Sequence, residues 1–372
     1  MKGAQKMRDY YEDYDLRIIV LPNCEQFGAS VNEELKRMRK NKDGFIVPIS
    51  VERFSNGEGK GVIKAPVRYK DVYIISDVGN YDISYNFHGR QHAMTPDEHF
   101  QDIKRVVSAI CGHAERISVV MPLLYQSRQH KRVREGRESL DCPIALQELV
   151  NLGVRNIITY DVHAPNVANA IPTRGFENCF PTHIILSNLI NQERDIFDNI
   201  QIVSPDEGAI GRARYYSDII GCGLAHFQKR RDYSQVVNGK NPIKTSEYIG
   251  SSVAGKNVIL VDDMISSGES MVKAARKLKE MGAEKIFLIA TFALFTEGTE
   301  IFEKAYEEGL FYKAISTNLS YIPSEIQDFK WFEVVDCAPH LAKVINTLNM
   351  RESIEEFNEK DRMYIISKIR NR

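Results

Sequence analysis

The sequence predicts an α/β protein with mostly parallel sheets, built as two such units in series. Three observations predict it. Short apolar runs of strand length alternate with amphipathic stretches of helical period. One proline-bearing loop interrupts that alternation near the middle. And 372 residues are more than a single compact core usually holds.

The elements follow in order. Residues 16–21 (LRIIVL) read as a strand and 30–38 as a helix. Residues 71–78 (DVYIISDV) form a strand. Phe100, Ile103, Val106, Val107 and Ile110 recur at spacings of three and four, which predicts a helix over 96–111. A strand at 117–121, a helix at 144–152 and a strand at 156–160 complete the first series. The loop with Pro165, Pro172 and Pro181 is the candidate domain junction. Beyond it come a helix at 184–190, a strand at 200–203, a helix at 211–220 and a strand at 258–261. A helix at 270–281, a strand at 285–293 and a helix at 299–308 continue the pattern. The domains are therefore expected at 15–180 and 181–350. A charged extension, 351–372, is predicted to be helical. No clear sequence repeat links the two halves.

Composition narrows the function. Hydrophobic residues make up 43% and charged residues 27%, with a formal net charge of -1. A general nucleic-acid or membrane binder would carry an excess of Lys and Arg, so neither partner is expected. No apolar run approaches the roughly 18 residues that a membrane-spanning helix requires. The polar, charged start of the chain does not read as a secretory signal. Cys24, Cys111, Cys142, Cys179, Cys222 and Cys337 are scattered, with no CxxC spacing. That suits reduced thiols in a cytoplasmic protein better than disulfides or a zinc site.

The sharpest motif lies at 257–271 (NVILVDDMISSGESM). A buried apolar strand is followed by Asp262 and Asp263, then by a small, hydroxyl-rich turn with Gly268, then by a helix with Val272, Ala275 and Leu278 on one face. Ligands of open α/β sheets sit beyond the carboxyl ends of the strands. A helix N-terminus offers amide groups and a partial positive charge to a phosphate. Gly268 lets the backbone come close, and Ser266, Ser267 and Ser270 add hydroxyls. Two adjacent carboxylates are poor neighbours unless a sugar diol or a metal-bound sugar uses them. The alternative is an acidic strand-to-helix turn capped by serines.

This stretch closely resembles the 5-phosphoribosyl-1-diphosphate (PRPP) binding motif of the phosphoribosyltransferase superfamily. The resemblance implies two tandem phosphoribosyltransferase-type domains, the first on the ATP side and the second on the ribose 5-phosphate side. It places Asp262 and Asp263 against the ribose hydroxyls and Ser266, Ser267, Gly268, Glu269 and Ser270 around the 5-phosphate. Glu269 stands where Gly is common and is expected to face solvent, since its charge would repel phosphate. Ser266 replaces an Asp common in PRPP synthetases.

Further segments extend the resemblance to PRPP synthetases over about residues 18–353. The run from Arg53 to Glu58 (RFSNGE) is similar to a family loop that receives adenine from a neighbouring subunit. Phe54 would stack on the base, and Asn56 and Glu58 would read its polar edge. By itself the run also suits a plain turn. Residues 125–137 (YQSRQHKRVREGR) are dense in Arg and Lys, and Arg pairs well with phosphate oxygens. The family pattern matches at Arg128 and Gln129, while His130 replaces Asp; these three are the expected ATP contacts. His163, in IITYDVHA, matches the family's magnesium ligand. Asp206, in IVSPDEG, would be the metal-side or ribose-side carboxylate, and is taken with His163 as the metal pair. Lys229 and Arg231, in FQKRR, match a catalytic Lys-x-Arg in a mobile loop, with Arg230 an equally basic neighbour. The polar segment 230–247 reads as that loop. An apparent insertion at 81–96 carries His88 and His92, which would share a helical face as metal ligands; Gly89 and the polar surroundings weigh against a helix.

The resemblance thus implies a ribose-phosphate diphosphokinase that uses Mg2+ and the substrates ATP and ribose 5-phosphate. It further implies a homodimer or hexamer, with phosphate and ADP as regulators. Two other readings remain open. A catalytically inactive, synthetase-associated regulatory protein would fit the departures at His130, Ser266 and Glu269. A transferase acting on a base would consume PRPP without ATP.

Overall fold

The computed structural model describes residues 16–132, 136–231 and 243–370, with the backbone alone at 229–231, 243–246 and 370. The chain divides into two compact units. The first takes everything up to Pro181 together with Asn318–Tyr321 and Asp336–Glu355; the second takes Thr182–Thr317, Ile322–Val335 and the chain from Glu356 onward.

The first unit runs β1 (Leu16–Val20), α1 (Glu25–Arg39), β2 (Ile49–Arg53), β3 (Gly59–Ile63), β4 (Asp71–Ile75), β5 (Ser84–Phe87), β6 (Arg90–Ala93), α2 (Pro96–Ile110), β7 (Arg116–Val120), α3 (Asp141–Asn151), β8 (Asn156–Tyr160) and β9 (Gly175–Cys179). Its central sheet has the order β1-β4-β7-β8-β9, parallel throughout. Ile19, Val72, Ile74, Val106, Val119, Leu146 and Ile157 share one buried cluster on it. Helix α2 starts where the chemistry of its first turn demands. Thr95 and Glu98 form a reciprocal capping box and Pro96 stands at the first helical position.

Helix α1 starts five residues before the expected position 30 and contains Gly28. A Cβ at Gly28 would lie 2.3 Å from a Val20 methyl, so glycine serves here for close approach to β1. The insertion at 81–96 is a β-hairpin, not a helix. His88 (φ 47°) and Gly89 (φ 80°) form its two-residue turn between the paired Phe87 and Arg90. Positive φ at both central residues matches the twist of flanking strands. His88 and His92 therefore share no helical face, as Gly89 and the polar surroundings suggested.

The second unit contains α4 (Thr182–Gln192), β10 (Ile200–Ser204), α5 (Ile210–Ile220), β11 (Gly223–Arg231), β12 (Ile243–Ile249), β13 (Asn257–Ile265), α6 (Glu269–Glu280), β14 (Ile286–Ala293), α7 (Glu300–Glu307), β15 (Lys313–Thr317) and β16 (Phe332–Val335). The sheet order is β12-β11-β10-β13-β14-β15-β16, parallel except for the β11–β12 pair. Alternate residues of β13 and β14 feed opposite faces. Leu260 and Leu288 pack with Ala275, Leu278 and Phe302, whereas Ile259 and Ile289 pack with Ile185, Ala213 and Tyr216. That two-sided burial is why these strands read as continuous apolar runs. The helix Ile354–Arg370 lays Ile365 and Ile369 into the second of these clusters. Among the described residues, no helix is long and apolar enough to cross a membrane.

Candidate active site

Strand β13 carries the acidic pair. The apolar run predicted it to stop at 261, but it continues to Ile265 because β14 keeps pairing with it, Met264 against Phe292 and Ile265 against Ala293. On the other side, pairing with β10 ends at Val203 against Leu260. Asp262 and Asp263 thus lie inside the strand, just past the point where one of its two neighbours has ended. Asp262 Oδ1 accepts the Asp263 amide (2.9 Å), and Asp263 Oδ1 accepts the Met264 amide (2.9 Å). Burial, then the adjacent Asp263 charge, pushes the Asp262 carboxyl well above its ordinary value; Arg212 of α5, 4.0 Å away, offsets this in part.

The turn that follows is built as the motif requires. Gly268 has φ 78°, and a Cβ there would lie 2.1 Å from the Phe302 ring. Both facts demand glycine. It caps α6 without a side-chain hydrogen bond, and the first turn of any helix leaves amides without intrahelical acceptors. Ser266 shares a 3.0 Å hydrogen bond with Thr296. Ser267 is half-buried and Ser270 exposed. Glu269 faces solvent and pairs with Lys273 one turn on. Asp206 follows β10, and its Oδ1 accepts the amides of Gly208 (3.0 Å) and Ala209 (3.3 Å).

Lys229 and Arg231 end β11. The segment expected as an irregular loop from 230 on is, where described, an antiparallel pair with β12: Lys229 lies opposite Ser246 and Arg231 opposite Ile243, with a bulge between Arg230 and Arg231. The polar sequence hid a hairpin, because β12 lies on the sheet's edge and has only one strand to satisfy. The side chains of Lys229 and Arg231, and all of 232–242, fall outside the described residues.

In the first unit, Arg128, Gln129 and His130 occupy the loop after β7, and His163 the loop after β8. The structure brings two of these side chains together: the His130 and His163 rings lie 5.6 Å apart, centre to centre. Burial, then the His163 ring, lowers the His130 pKa. Arg128 and Gln129 are exposed. Phe54, Asn56 and Glu58 form the tip between β2 and β3, where the Phe54 amide donates to the Glu58 carbonyl (2.8 Å) and the Glu58 amide to Asn56 Oδ1 (3.1 Å). Phe54 is 47% exposed.

Comparison with known proteins fits this arrangement. Residues 16–153 match the N-terminal domain of ribose phosphate pyrophosphokinase, and residues 183–311 match a phosphoribosyl transferase domain. The chain is 28% identical over 338 residues to a ribose-phosphate pyrophosphokinase of Haemophilus ducreyi, covering 90% of this chain and 98% of that one. It is 31% identical over 278 residues to the Vibrio parahaemolyticus enzyme of the same name, covering 74% of this chain and 81% of the relative. The chain belongs to the ribose-phosphate pyrophosphokinase family. Its fold agrees with the crystal structure of phosphoribosylpyrophosphate synthetase from Mycobacterium smegmatis, at TM-score 0.73 and 21% identity over 90% of this chain and 98% of that one.

A ribose-phosphate pyrophosphokinase works with a divalent metal, and the residues here fit one. A half-buried carboxylate beside a buried one is the kind of group a hard cation relieves, and His163 stands exposed at a strand end. Among the described residues no three His, Cys, Asp or Glu side chains already form a metal cluster. His163 belongs to the first unit and Asp206 to the second. Sequence reasoning missed Arg212, the cation facing Asp262. An arginine in the first turn of a helix whose side chain is only 11% exposed must have an anionic partner or ligand. It stands only six residues beyond Asp206 in the sequence, but burial is not visible in a string of letters.

Proposed function

We propose that this chain transfers the β,γ-diphosphoryl group of ATP to the anomeric hydroxyl of ribose 5-phosphate, giving PRPP and AMP. The observation that carries the reading is the Asp262–Asp263 pair standing in the strand that leads directly into the Gly268 turn and the N-terminus of α6. This supports the reading, because such an arrangement would set acceptors for sugar hydroxyls next to donors for a phosphate.

The first unit would serve ATP and the second ribose 5-phosphate. Phe54, Asn56 and Glu58 would take the adenine; Arg128, Gln129 and His130 would contact ATP. Asp262 and Asp263 would orient the sugar, while Ser266, Ser267, Gly268 and Ser270 hold the 5-phosphate. Glu269, paired with Lys273, would stay out of the phosphate's way. His163 and Asp206 would hold Mg2+, which when bound neutralises the triphosphate. The anomeric oxygen attacks the β-phosphorus, the bond from that phosphorus to the α-phosphate oxygen breaks, and AMP leaves. Such a transfer depends on alignment and charge stabilisation, which Lys229 and Arg231 would supply at the transferred group. A cytoplasmic homodimer or hexamer regulated by phosphate and ADP completes the proposal.

The test is direct. Protein mixed with ATP, Mg2+ and ribose 5-phosphate in phosphate buffer should release AMP in step with PRPP, and Lys229→Ala should abolish both. No AMP above the Lys229→Ala control would overturn the reading in favour of a regulatory role. Consumption of PRPP with a free base and without ATP would point to a transferase.

A further inference from the structure

We infer that the β5–β6 hairpin is a positioning element for the base-reading loop, holding residues 54–58 in place through Phe87, His88 and the Glu98 carboxylate. The inference rests on the reading above that this loop receives the adenine.

The loop needs outside support. It is the exposed tip of a two-stranded sheet, β2–β3, and an isolated two-stranded hairpin is at best marginal in water. The second hairpin meets it tip to tip. The His88 amide donates to the Ser55 carbonyl (2.8 Å). The Phe87 ring comes within 3.1 Å of where a Cβ on Gly57 would sit, so Gly57, at φ 91°, is the place where the two tips can touch.

Both hairpins are also tied to one helix. Arg53, which ends β2, forms a buried ion pair with Asp102 of α2 (2.9 Å) and donates to the Glu98 carbonyl (3.0 Å). The Arg53 guanidinium also lies over the Tyr85 ring of β5, 5.8 Å from its centre. Glu98 gathers the rest. One carboxylate oxygen accepts Tyr85 Oη (2.8 Å); the other meets His92 Nε2 of β6 (3.1 Å) and the Thr95 amide (2.9 Å). Both hairpins and the start of α2 are thereby fixed relative to one another, while Phe54 keeps an open face for a flat ring.

A support of this kind acts on nucleotide binding, not on the transfer step. ATP affinity by calorimetry and steady-state constants should be measured on the full chain carrying Phe54→Ala, Phe87→Ala, both together, the conservative Phe87→Tyr, or residues 84–93 replaced by a Gly-Ser link. Phe87→Ala should raise Kd and KM for ATP on the order of five-fold, with kcat and the KM for ribose 5-phosphate within about two-fold. Phe87→Tyr should restore binding. The double variant should be no weaker than Phe54→Ala alone, because Phe87 acts through the loop. If Phe54→Ala weakens ATP binding while Phe87→Ala and the shortened chain do not, the inference fails and the base-loop reading stands. If Phe54→Ala itself changes nothing, that reading fails and the inference falls with it. A drop in kcat together with loss of binding for both substrates would mark Phe87 as merely structural.

Discussion

Glu98 and the Asp262–Asp263 pair meet opposite electrostatic surroundings. Glu98 accepts hydrogen bonds from Tyr85, Thr95 and His92, and despite partial burial its carboxyl is held down to about 2. Asp262 is half-buried beside another carboxylate, with Arg212 4.0 Å away, and its carboxyl is pushed up. The first arrangement stabilises the fold. The second weakens it locally and, on the proposed reading, would be relieved by a sugar hydroxyl or a cation. A satisfied carboxylate points to structure and an under-satisfied pair to binding.

The largest test of this contrast is Asp262→Asn. Activity should fall about a thousand-fold, since a positioning and charge-bearing group is lost. The melting temperature should hold or rise at pH 7, because one of two repelling charges is gone while the Asp263 amide keeps an oxygen acceptor. Loss of stability alongside activity would contradict the contrast. Gly268→Ala comes next. A Cβ forced onto the Phe302 ring at positive φ should cost about 2–3 kcal/mol in urea unfolding and weaken binding of ribose 5-phosphate.

Glu98→Gln probes the satisfied side. The folded Glu98 carboxyl lies near 2, below its ordinary 4.5, so its contribution is complete above pH 4.5 and is lost as pH falls toward 2. Allowing for its partial exposure, the variant should be about 1–2 kcal/mol less stable at pH 7. The gap from the native chain should close progressively below pH 4.5; a gap independent of pH would show that the charge is not what stabilises. Ser266→Ala should cost about 1 kcal/mol or less through the Thr296 bond. Glu269→Gln is the smallest change. Its exposed pair with Lys273 should be worth less than about 0.5 kcal/mol, and activity should be unaffected if that side chain stays turned to solvent.

Much of the fold was legible because the central strands are buried on both faces and the helices on one. β4, β10, β13 and β14 announce themselves as apolar runs, and α2 by its periodicity. Burial did not reveal every element: the interior strand β15 and the buried helix Ala338–Asn349 also escaped. Several others that escaped are polar and at margins. β5, β6 and β12 are short edge or hairpin strands without an apolar alternation, and the left-handed His88 signals a turn only once its backbone is seen. The acidic pair and the glycine turn of the candidate site were legible because their chemistry is local, held within a dozen residues of chain.

Residue order alone determined that the chain alternates strand and helix in two series, and that a Ser-Gly turn opening a helix follows two carboxylates. Those properties depend on periodicity and on neighbours in the chain. Only the tertiary structure decided that β13 runs on past Asp262 along β14, that Arg212 faces that carboxylate, and that the β5–β6 hairpin touches the loop bearing Phe54. It also decided that Asn318–Tyr321 and Asp336–Glu355 return to the first unit. Each of these joins residues far apart in the chain, and burial and pairing partners are properties of the packed molecule, not of any local stretch of letters.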